Sequence, residues 1–371
     1  MLGERFYFWD RMRIWSVYAV LLLHAGMTYM VGAPAWWYVI DRNHSLFFLY
    51  LVLLLDIFPM SVLFFVAGHF APATLHGRGK TGFLIGKIRR IAVPWIIGVL
   101  FVAPFFSAAS MRSLGYPIGN PVTFYTTLFF GPAYQQGVYW FLGVLLVFFL
   151  LFLLLSPFFG EQDAETTPIN GCVVLLCWIA SVALYYGVGS VQPNIDAWLN
   201  VGFVLYFQQL RIGGYLLIFF LGAYAWKKRW FELRPSKALA LGVLLSALIL
   251  LCATVLLRLK LGGELRGLSL LLYGAVHQGA ALLTTIAAAL CFRRWGNHEG
   301  FLVKTSARAS FGLYWVHMIV LMPLAYLLVN LNWPTGLKFM IIVLLTLQIG
   351  ERGTLVYLDY RERRGKGQTP S

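Results

Sequence analysis

The chain has 371 residues, of which 60% are hydrophobic and 17% aromatic, and its mean hydropathy is +0.75. This composition excludes an ordinary soluble domain and predicts an all-α, polytopic integral membrane protein, because apolar runs of membrane-spanning length recur along the chain. The formal net charge of +15 does not indicate a nucleic-acid partner. The basic residues fall between apolar runs, where such residues set topology and contact anionic lipid headgroups.

Ten apolar runs predict about ten transmembrane helices. The predicted spans cover residues 14–33, 46–70, 91–110, 138–159, 171–188, 212–226, 237–257, 268–292, 309–331 and 335–358. With a cytoplasmic N-terminus, most of the 29 lysines and arginines fall on the cytoplasmic side, which predicts that both termini are cytoplasmic. Residues 1–371 then form one transmembrane domain, with 1–13 and 359–371 as its cytoplasmic ends.

The first predicted span carries two ionisable residues, Arg13 and His24. Their separation corresponds on an α-helix to a rise of about 16 Å and a net rotation of about 20°. Arg13 therefore marks the membrane edge, and His24 lies near the midplane, where an ionisable group is costly and is a functional candidate. The alternative is a histidine that a neighbouring helix satisfies through a polar contact.

A cleaved signal peptide is the main rival interpretation of the first span. Ala33, Pro34 and Ala35 have the small-x-small form of a cleavage site. The apolar run is longer than the core of a typical signal peptide and contains Ser16 and His24. We therefore favour a retained helix.

Three further ionisable residues are predicted at a depth similar to that of His24. Asp56 lies in the second span, His277 in the eighth and His317 in the ninth. A carboxylate bonded to one imidazole nitrogen fixes the tautomer and leaves the other nitrogen free to accept a proton, as a general base requires. We expect Asp56 to orient His24 and the four residues to line one polar cavity. The alternative is a set of polar helix contacts without chemistry.

A basic cluster precedes the third span on the predicted cytoplasmic side. Lys87 and Arg90 are three positions apart and share a face if this segment is helical. Together with Arg13 they would surround the inner mouth of a path leading to His24 and bind a phosphate-bearing ligand with a long flexible arm. The alternative is a topological signal that contacts lipid headgroups.

Aromatic and amide residues precede the fourth and sixth spans on the predicted outer side. Gln136, Tyr139 and Trp140 come before and at the start of the fourth, and Tyr206 and Gln208 come before the sixth. Aromatic faces and amides suit stacking and hydrogen bonding to a sugar, whereas the ordinary explanation is an aromatic belt at the membrane interface.

The four cysteines do not indicate a metal site. All of them lie inside predicted spans: Cys172, Cys177, Cys252 and Cys291. They show no metal-like clustering with histidines, so we interpret them as small buried side chains and expect no metal.

Five short motifs occur along the chain in an order that resembles acyltransferase family 3. They are Arg5-x4-Asp10-x2-Arg13 followed by His24, FFVAGHF at 64–70, Lys87-x2-Arg90 before Pro94, YWFL at 139–142 and SFGLYWVH at 310–317. The N-terminal motif and PMSVLFFVAGHF at 59–70 are most similar to the branch that succinylates periplasmic glucans, the glucan biosynthesis protein C type. Ala67 and His69 replace the serine and tyrosine that are usual in the family, so roles attached to those side chains are not carried over.

The resemblance implies a membrane-bound O-acyltransferase of the bacterial inner membrane. Such an enzyme would transfer an acyl group from cytoplasmic acyl-CoA, either succinyl-CoA or acetyl-CoA, to a hydroxyl of an extracytoplasmic glycan or glycolipid. Its partners would be this acceptor and membrane lipid, and the sequence leaves a homo-oligomeric state open. The alternative function is a ten-span, proton-coupled transporter or flippase of a glycan-related substrate, because intramembrane ionisable residues also mark transport paths.

The implied site residues fall into three groups. The expected catalytic residues are His24 as general base, Asp56 and His317. The expected acyl-CoA contacts are Arg13, Lys87 and Arg90. The expected acceptor contacts are Gln136, Tyr139, Trp140, His277 and Ser310. Direct transfer and relay through an acyl-histidine or acyl-serine both remain compatible with the sequence.

Overall fold

The apolar runs of the sequence form long helices. The structure, a computed structural model, describes residues 6–34 and 36–365. Arg5 of the first motif, Ala35 of the cleavage-site pattern and the C-terminal end after Gly365 lie outside the described residues.

Helices account for most of the described chain. The α-helices are α1 (Tyr7–Met27), α2 (Leu46–Leu55), α3 (Pro59–Lys87), α4 (Val93–Ile97), α5 (Ala103–Ser113), α6 (Pro121–Thr123), α7 (Trp140–Leu155), α8 (Gly171–Val191), α9 (Gln209–Lys227), α10 (Lys237–Leu261), α11 (Gly267–Trp295), α12 (Phe301–Leu328) and α13 (Thr335–Gly365). Short π-helical segments are Ile88–Ala92, Gly98–Val102 and Phe124–Phe129, and 3₁₀ turns are Gly137–Tyr139 and Ser156–Phe158.

Within residues 6–34 and 36–365, seven helical segments are long and apolar enough to cross a membrane. They are Leu46–Ser113, Gly137–Phe158, Gly171–Val191, Lys237–Leu261, Gly267–Trp295, Val303–Leu328 and Thr335–Arg364. The prediction of a mostly helical chain with several segments capable of crossing a membrane is confirmed, whereas the count of about ten and the cytoplasmic termini stay predictions.

The second predicted span is interrupted at Asp56 and continues further than expected. Residues 46–70 were expected to be one helix, but α2 ends at Leu55 and α3 begins at Pro59. Proline fits the first turn of a helix, because it lacks an N–H and its φ is already near the helical value. The basic segment between the second and third predicted spans is helical up to Lys87, with a break at Gly79, where φ is 65°.

Two prolines shape the third predicted span. It is not a regular α-helix, because π-helical turns alternate with α4 and α5. Pro94 and Pro104 lie in the first turn of α4 and of α5 respectively. Each lacks the N–H that would bond to a carbonyl of the preceding turn, so the helix changes its winding there.

A short hairpin forms the one β-sheet in the described residues. Strand β1 (Trp198–Val201) pairs antiparallel with β2 (Leu205–Gln208), and Trp198 lies opposite Gln208. The turn has positive φ at Gly202 and at Phe203, both 59°, as a type I′ hairpin turn requires. Asn200 supports it by accepting a hydrogen bond from the backbone N–H of Phe203 at 2.9 Å.

The described chain divides into two compact units. The first comprises residues up to Met12 with Asp56–Leu100 and Gln135–His298. In it α3 and α9 cross closely, because a Cβ at Gly68 would overlap the carbonyl oxygen of Phe219, and one at Gly222 would overlap that of Phe65. Glycine allows such close backbone approach between helices in membranes.

The second unit comprises Arg13–Leu55, Phe101–Tyr134 and the residues after His298. Its longest helices, α12 and α13, run antiparallel: Arg308 near the start of α12 is 2.8 Å from Asp359 and 2.7 Å from Glu362 near the end of α13. The part of α1 after Met12 packs on both, so this unit holds the two histidines of the first and ninth predicted spans.

Candidate active site

Two histidines that are far apart in the sequence lie side by side in the second unit. Nδ1 of His24 on α1 is 3.0 Å from Nε2 of His317 on α12. The rings are inclined by 13° with centroids 5.2 Å apart, so they meet edge to edge through a hydrogen bond. His317 is buried, whereas His24 is partly exposed.

The backbone of α12 determines which nitrogen of each ring carries a proton. Nδ1 of His317 lies 2.5 Å from the carbonyl oxygen of Tyr314. A carbonyl only accepts, so this nitrogen carries the hydrogen, and in a neutral imidazole Nε2 is then the acceptor. His24 must therefore donate from Nδ1, which leaves the lone pair on its Nε2. The chain Tyr314–His317–His24 thus presents a proton acceptor on the partly exposed ring.

Arg13 is anchored to α12. Its Nε donates to Oγ of Ser310 at 3.0 Å, and Nη2 donates to the carbonyl oxygen of Ala307 at 3.0 Å. Ser310 is buried and its hydroxyl also donates to the carbonyl oxygen of Ala307 at 2.9 Å. The sequence placed Ser310 among acceptor contacts; in the structure it contacts the guanidinium of Arg13.

A third contact joins α1 to both neighbouring helices. The hydroxyl of Tyr18 donates to Oε1 of Glu351 on α13 at 2.5 Å and lies 3.1 Å from Oγ of Ser306 on α12. Tyr18 lies between Arg13 and His24 along α1. Side-chain hydrogen bonds at Arg13, Tyr18 and His24 thus hold α1 at three successive positions along its length.

Asp56 has a partner within the first unit. Nη2 of Arg211 at the start of α9 is 2.6 Å from Oδ2 of Asp56, and Nη1 donates to the carbonyl oxygen of Asp56 at 3.0 Å. The Arg211 side chain is 6% exposed and that of Asp56 is 41% exposed. The pair holds the interruption between α2 and α3. The role predicted for Asp56 in orienting His24 stays a prediction, and the partner of His24 in the structure is His317.

His277 is buried in the first unit among aromatic rings. Its ring centroid is 5.8 Å from that of Tyr185 and 5.7 Å from that of Tyr273. Within residues 6–34 and 36–365 neither ring nitrogen has a hydrogen-bond partner. An acceptor contact through His277 stays a prediction.

The two cations predicted to bind acyl-CoA phosphates differ in their surroundings. Nζ of Lys87 lies over the ring of Phe149, 3.5 Å from its centroid, and 4.9 Å from the centroid of Phe83. Arg90, within the π-helical turn, is exposed. Lys87 is therefore engaged by aromatic faces, and Arg90 is more open to solvent or headgroups.

The predicted acceptor contacts near α7 include two residues with extensive internal contacts. Gln136 is fully buried: its Oε1 accepts from Nε1 of Trp95 at 3.3 Å and its Nε2 donates to the carbonyl oxygen of Val204 at 2.9 Å. Tyr139 is also fully buried. Trp140 is partly exposed and meets Trp198 of β1 edge to face, with centroids 5.6 Å apart. Of these three residues, Trp140 is the most accessible to a sugar.

His69, which departs from the family motif, packs inside the first unit. Its ring lies 4.0 Å from that of Trp9, inclined by 30°. It therefore joins the start of α1 to α3 through ring packing.

Several residues around the site were not predicted. Glu351 and Lys338 lie inside the predicted span 335–358, and a charged residue in an apolar run is a signal that would have marked both. Arg211, the partner of Asp56, was not predicted as a site residue. The carbonyl group of Tyr314 carries no sequence signal, because its role depends on how the helix backbone lies against His317.

Comparison with known proteins gives one match. Residues 6–349 match the profile of acyltransferase family 3, described as an acyltransferase domain. No curated protein and no solved structure matches the chain significantly. Since the matched segment covers nearly the whole chain and includes every site residue predicted from the sequence, the chain belongs to acyltransferase family 3.

Proposed function

We propose that this membrane acyltransferase transfers a succinyl or acetyl group from cytoplasmic acyl-CoA to a hydroxyl of an extracytoplasmic glycan or glycolipid. It would act in the bacterial inner membrane, in contact with membrane lipid. The observation that carries the proposal is the hydrogen-bond chain from the Tyr314 carbonyl through His317 to His24. It leaves a basic nitrogen on a partly exposed imidazole.

In the proposed reaction His24 is the general base. Its Nε2 takes the proton of the acceptor hydroxyl as that oxygen attacks the thioester carbonyl carbon. The new C–O bond forms and the C–S bond breaks, and the leaving CoA thiolate takes up the proton from the His24 imidazolium, which returns His24 to its basic form. His317 accepts the Nδ1–H of His24 throughout, so it stabilises the imidazolium that forms. No metal takes part in this scheme.

The donor would reach His24 from the side of Arg13. The rise between the two residues is about 16 Å along α1, a distance that the extended pantetheine arm of CoA can cross. Arg13 would hold a CoA phosphate, and Ser310 keeps its guanidinium in place. Lys87 and Arg90, which the sequence predicts on the same side of the membrane, are proposed as further acyl-CoA contacts.

The acceptor would approach from the opposite face of the membrane. Trp140 is partly exposed and can stack against a sugar ring, and His277 supplies two unpartnered ring nitrogens within the described residues. Tyr139 and Gln136 would act by supporting this region, since both are buried.

The helix directions of the second unit support ten spans with both termini cytoplasmic. On α1, Arg13 contacts Ser310 of α12, and His24 contacts His317 further along the same helix. Helices α1 and α12 therefore run parallel, as the first and ninth spans of a ten-span chain must. Helix α13 runs antiparallel to α12, so its C-terminal end lies at the same end of this unit as Arg13. We propose that this end is cytoplasmic, because the topology predicted from the sequence has most Lys and Arg on that side.

Direct transfer fits the geometry better than relay through Ser310. Ser310 precedes His317 by seven residues, a rise of about 10 Å on a helix. Its hydroxyl is also bonded to Arg13 and Ala307, so it is not presented to the thioester.

The test is acyl transfer by purified protein in detergent, with radiolabelled succinyl-CoA or acetyl-CoA and an isolated glycan fraction. His24→Ala should abolish label transfer because it removes the base. The matched control is His44→Ala, since His44 is an exposed histidine of the following loop and its removal should leave the rate unchanged. Undiminished transfer by His24→Ala would refute the proposal.

A further inference from the structure

The loop that follows α1 folds back onto His24. Trp37 in this loop is 2% exposed. Its ring is inclined by 16° to the imidazole of His24, with centroids 5.7 Å apart. The indole Nε1–H donates to Oγ1 of Thr28 at 3.2 Å, next to the end of α1. A nearly parallel aromatic ring therefore lies beside the imidazole.

The same loop contains a charged residue that is fully buried and paired. Asp41 is 1% exposed and Lys338 near the start of α13 is 0% exposed, and Nζ of Lys338 lies 2.7 Å from Oδ2 of Asp41. The other carboxylate oxygen accepts from the backbone N–H of Asn43 at 2.9 Å. Burying two charges costs free energy unless they are paired with good geometry, and such a pair fixes an arrangement more than it stabilises the fold.

This ion pair joins the ends of several elements around the two histidines. The backbone N–H of Asp41 donates to the carbonyl oxygen of Thr28 at 2.9 Å, just after α1. Nζ of Lys338 is 3.5 Å from the carbonyl oxygen of Val329, just after α12. A shift of either charge would therefore move the loop relative to the helices that carry His24 and His317.

A separate contact anchors the loop on α5. The hydroxyl of Ser110 donates to the carbonyl oxygen of Trp36 at 3.0 Å, and the rings of Tyr38 and Phe106 lie 5.3 Å apart. Trp37 lies between these two anchored positions, so its ring is held from both sides along the chain.

We propose that Asp41 and Lys338 are positioning residues whose buried ion pair fixes the loop so that Trp37 lies along the imidazole of His24. The inference rests on the proposed function in one respect, that His24 is the base. When His24 takes the acceptor proton, the adjacent indole keeps water from that side of the ring. Trp37 thus acts on the reaction through His24.

The first experiment separates positioning from folding. Lys338→Met alone leaves a buried unpaired carboxylate, so its folded yield should fall sharply. The double variant Asp41→Asn/Lys338→Met removes both charges and should recover yield. Its kcat for acyl transfer should remain about 10- to 100-fold below wild type, with the KM for acyl-CoA within about threefold, because the donor end at Arg13 is untouched.

The control is an ion pair far from this loop in sequence and partly exposed. Lys228 lies 2.6 Å from Asp163, with both side chains about one-third exposed. Lys228→Met should leave kcat unchanged, since exposed pairs contribute little. A double variant of Asp41 and Lys338 with wild-type kcat would overturn the proposal.

The second experiment reads the position of Trp37 without catalysis. Diethylpyrocarbonate acylates accessible imidazole nitrogens, and peptide mass spectrometry gives the modification rate of each histidine. In the double variant and in Trp37→Leu, the reagent should modify His24 about tenfold faster than in wild type. The exposed His44 should react at an unchanged rate. If wild-type protein transferred no acyl group but His24 showed this change, the proposed function would fail and the positioning role would stand. An unchanged His24 rate in both variants would refute the positioning role.

Discussion

Replacing His317 tests whether it sets the tautomer of His24. His317→Leu removes the acceptor for the Nδ1–H of His24, which lies 3.0 Å from Nε2 of His317. The hydrogen can then move to Nε2 of His24, where water or the acceptor can bond to it. Nε2 would lose the lone pair that abstracts the proton, so the base would be present in the wrong form.

The size of this effect follows from the cost of an unpaired donor. A buried donor left without a partner costs about 1–3 kcal/mol, which favours the unproductive tautomer by the same amount. Since each 1.36 kcal/mol is a factor of ten in rate, kcat should fall about 5- to 150-fold. His317→Gln should lose less, because its amide oxygen extends about as far as Nε2 and can accept the same hydrogen.

The assay is kcat at saturating acyl-CoA for wild type, His317→Gln and His317→Leu, each corrected for folded protein. We expect the order wild type, Gln, Leu, with the KM for acyl-CoA nearly constant. Equal losses in the Gln and Leu variants would show that His317 acts through its size or its Tyr314 contact. Wild-type activity in His317→Leu would remove it from the mechanism.

Two further predictions concern the scaffold and the donor end. Gly68→Ala should lower the midpoint of thermal unfolding in detergent, because the added methyl overlaps a backbone carbonyl of α9 and overpacking costs about 1–3 kcal/mol. The control is Gly77→Ala on the same helix, where the added methyl meets no atom within 4 Å. An equal drop in the control would contradict the reasoning. Ser310→Ala should raise the KM for acyl-CoA about tenfold with kcat nearly unchanged, since a hydrogen bond to a charged group contributes about 1.5–3 kcal/mol and Arg13 loses one such bond. Ser306→Ala, which lies beside Tyr18, is the matched control, and an equal rise in its KM would count against a specific effect on Arg13.

The sequence predicted the helical, multi-span class well, because each apolar run carries its own signal. It was less accurate where local chemistry changes the helix. The break at Asp56 depends on Arg211, which bonds to the carbonyl oxygen of Asp56. The π-helical turns around Pro94 depend on the N–H that proline lacks. Hydropathy contains neither signal. The hairpin was also missed, although Gly202 between alternating apolar residues is a turn signal.

Within the site, the sequence indicated the depth of the candidate residues but not their partners. His24 and His317 were expected at a similar depth, and the structure pairs them. Asp56 was expected to serve His24, yet it pairs with Arg211. Depth follows from counting residues along one helix, whereas partners depend on the packing of helices that are distant in sequence. Glu351 and Lys338 differ from these partners, because a charge inside an apolar run is visible in the sequence. Both residues could therefore have been predicted.

The pairing of the two histidines explains how a base can be oriented at membrane depth when its imidazole bonds to a neutral ring and not to a carboxylate. A carboxylate at such a site would itself need a cation or several donors, as Asp56 needs Arg211. The carbonyl of Tyr314 and the neutral ring of His317 supply the same orientation with no net charge. Positive charge then appears on His24 only when it takes the proton of the acceptor. We therefore expect His317→Asp to be a poorer enzyme than His317→Gln, because the uncompensated carboxylate must take up a proton or move toward a cation. A His317→Asp variant as active as wild type would show that the site tolerates a permanent charge beside its base.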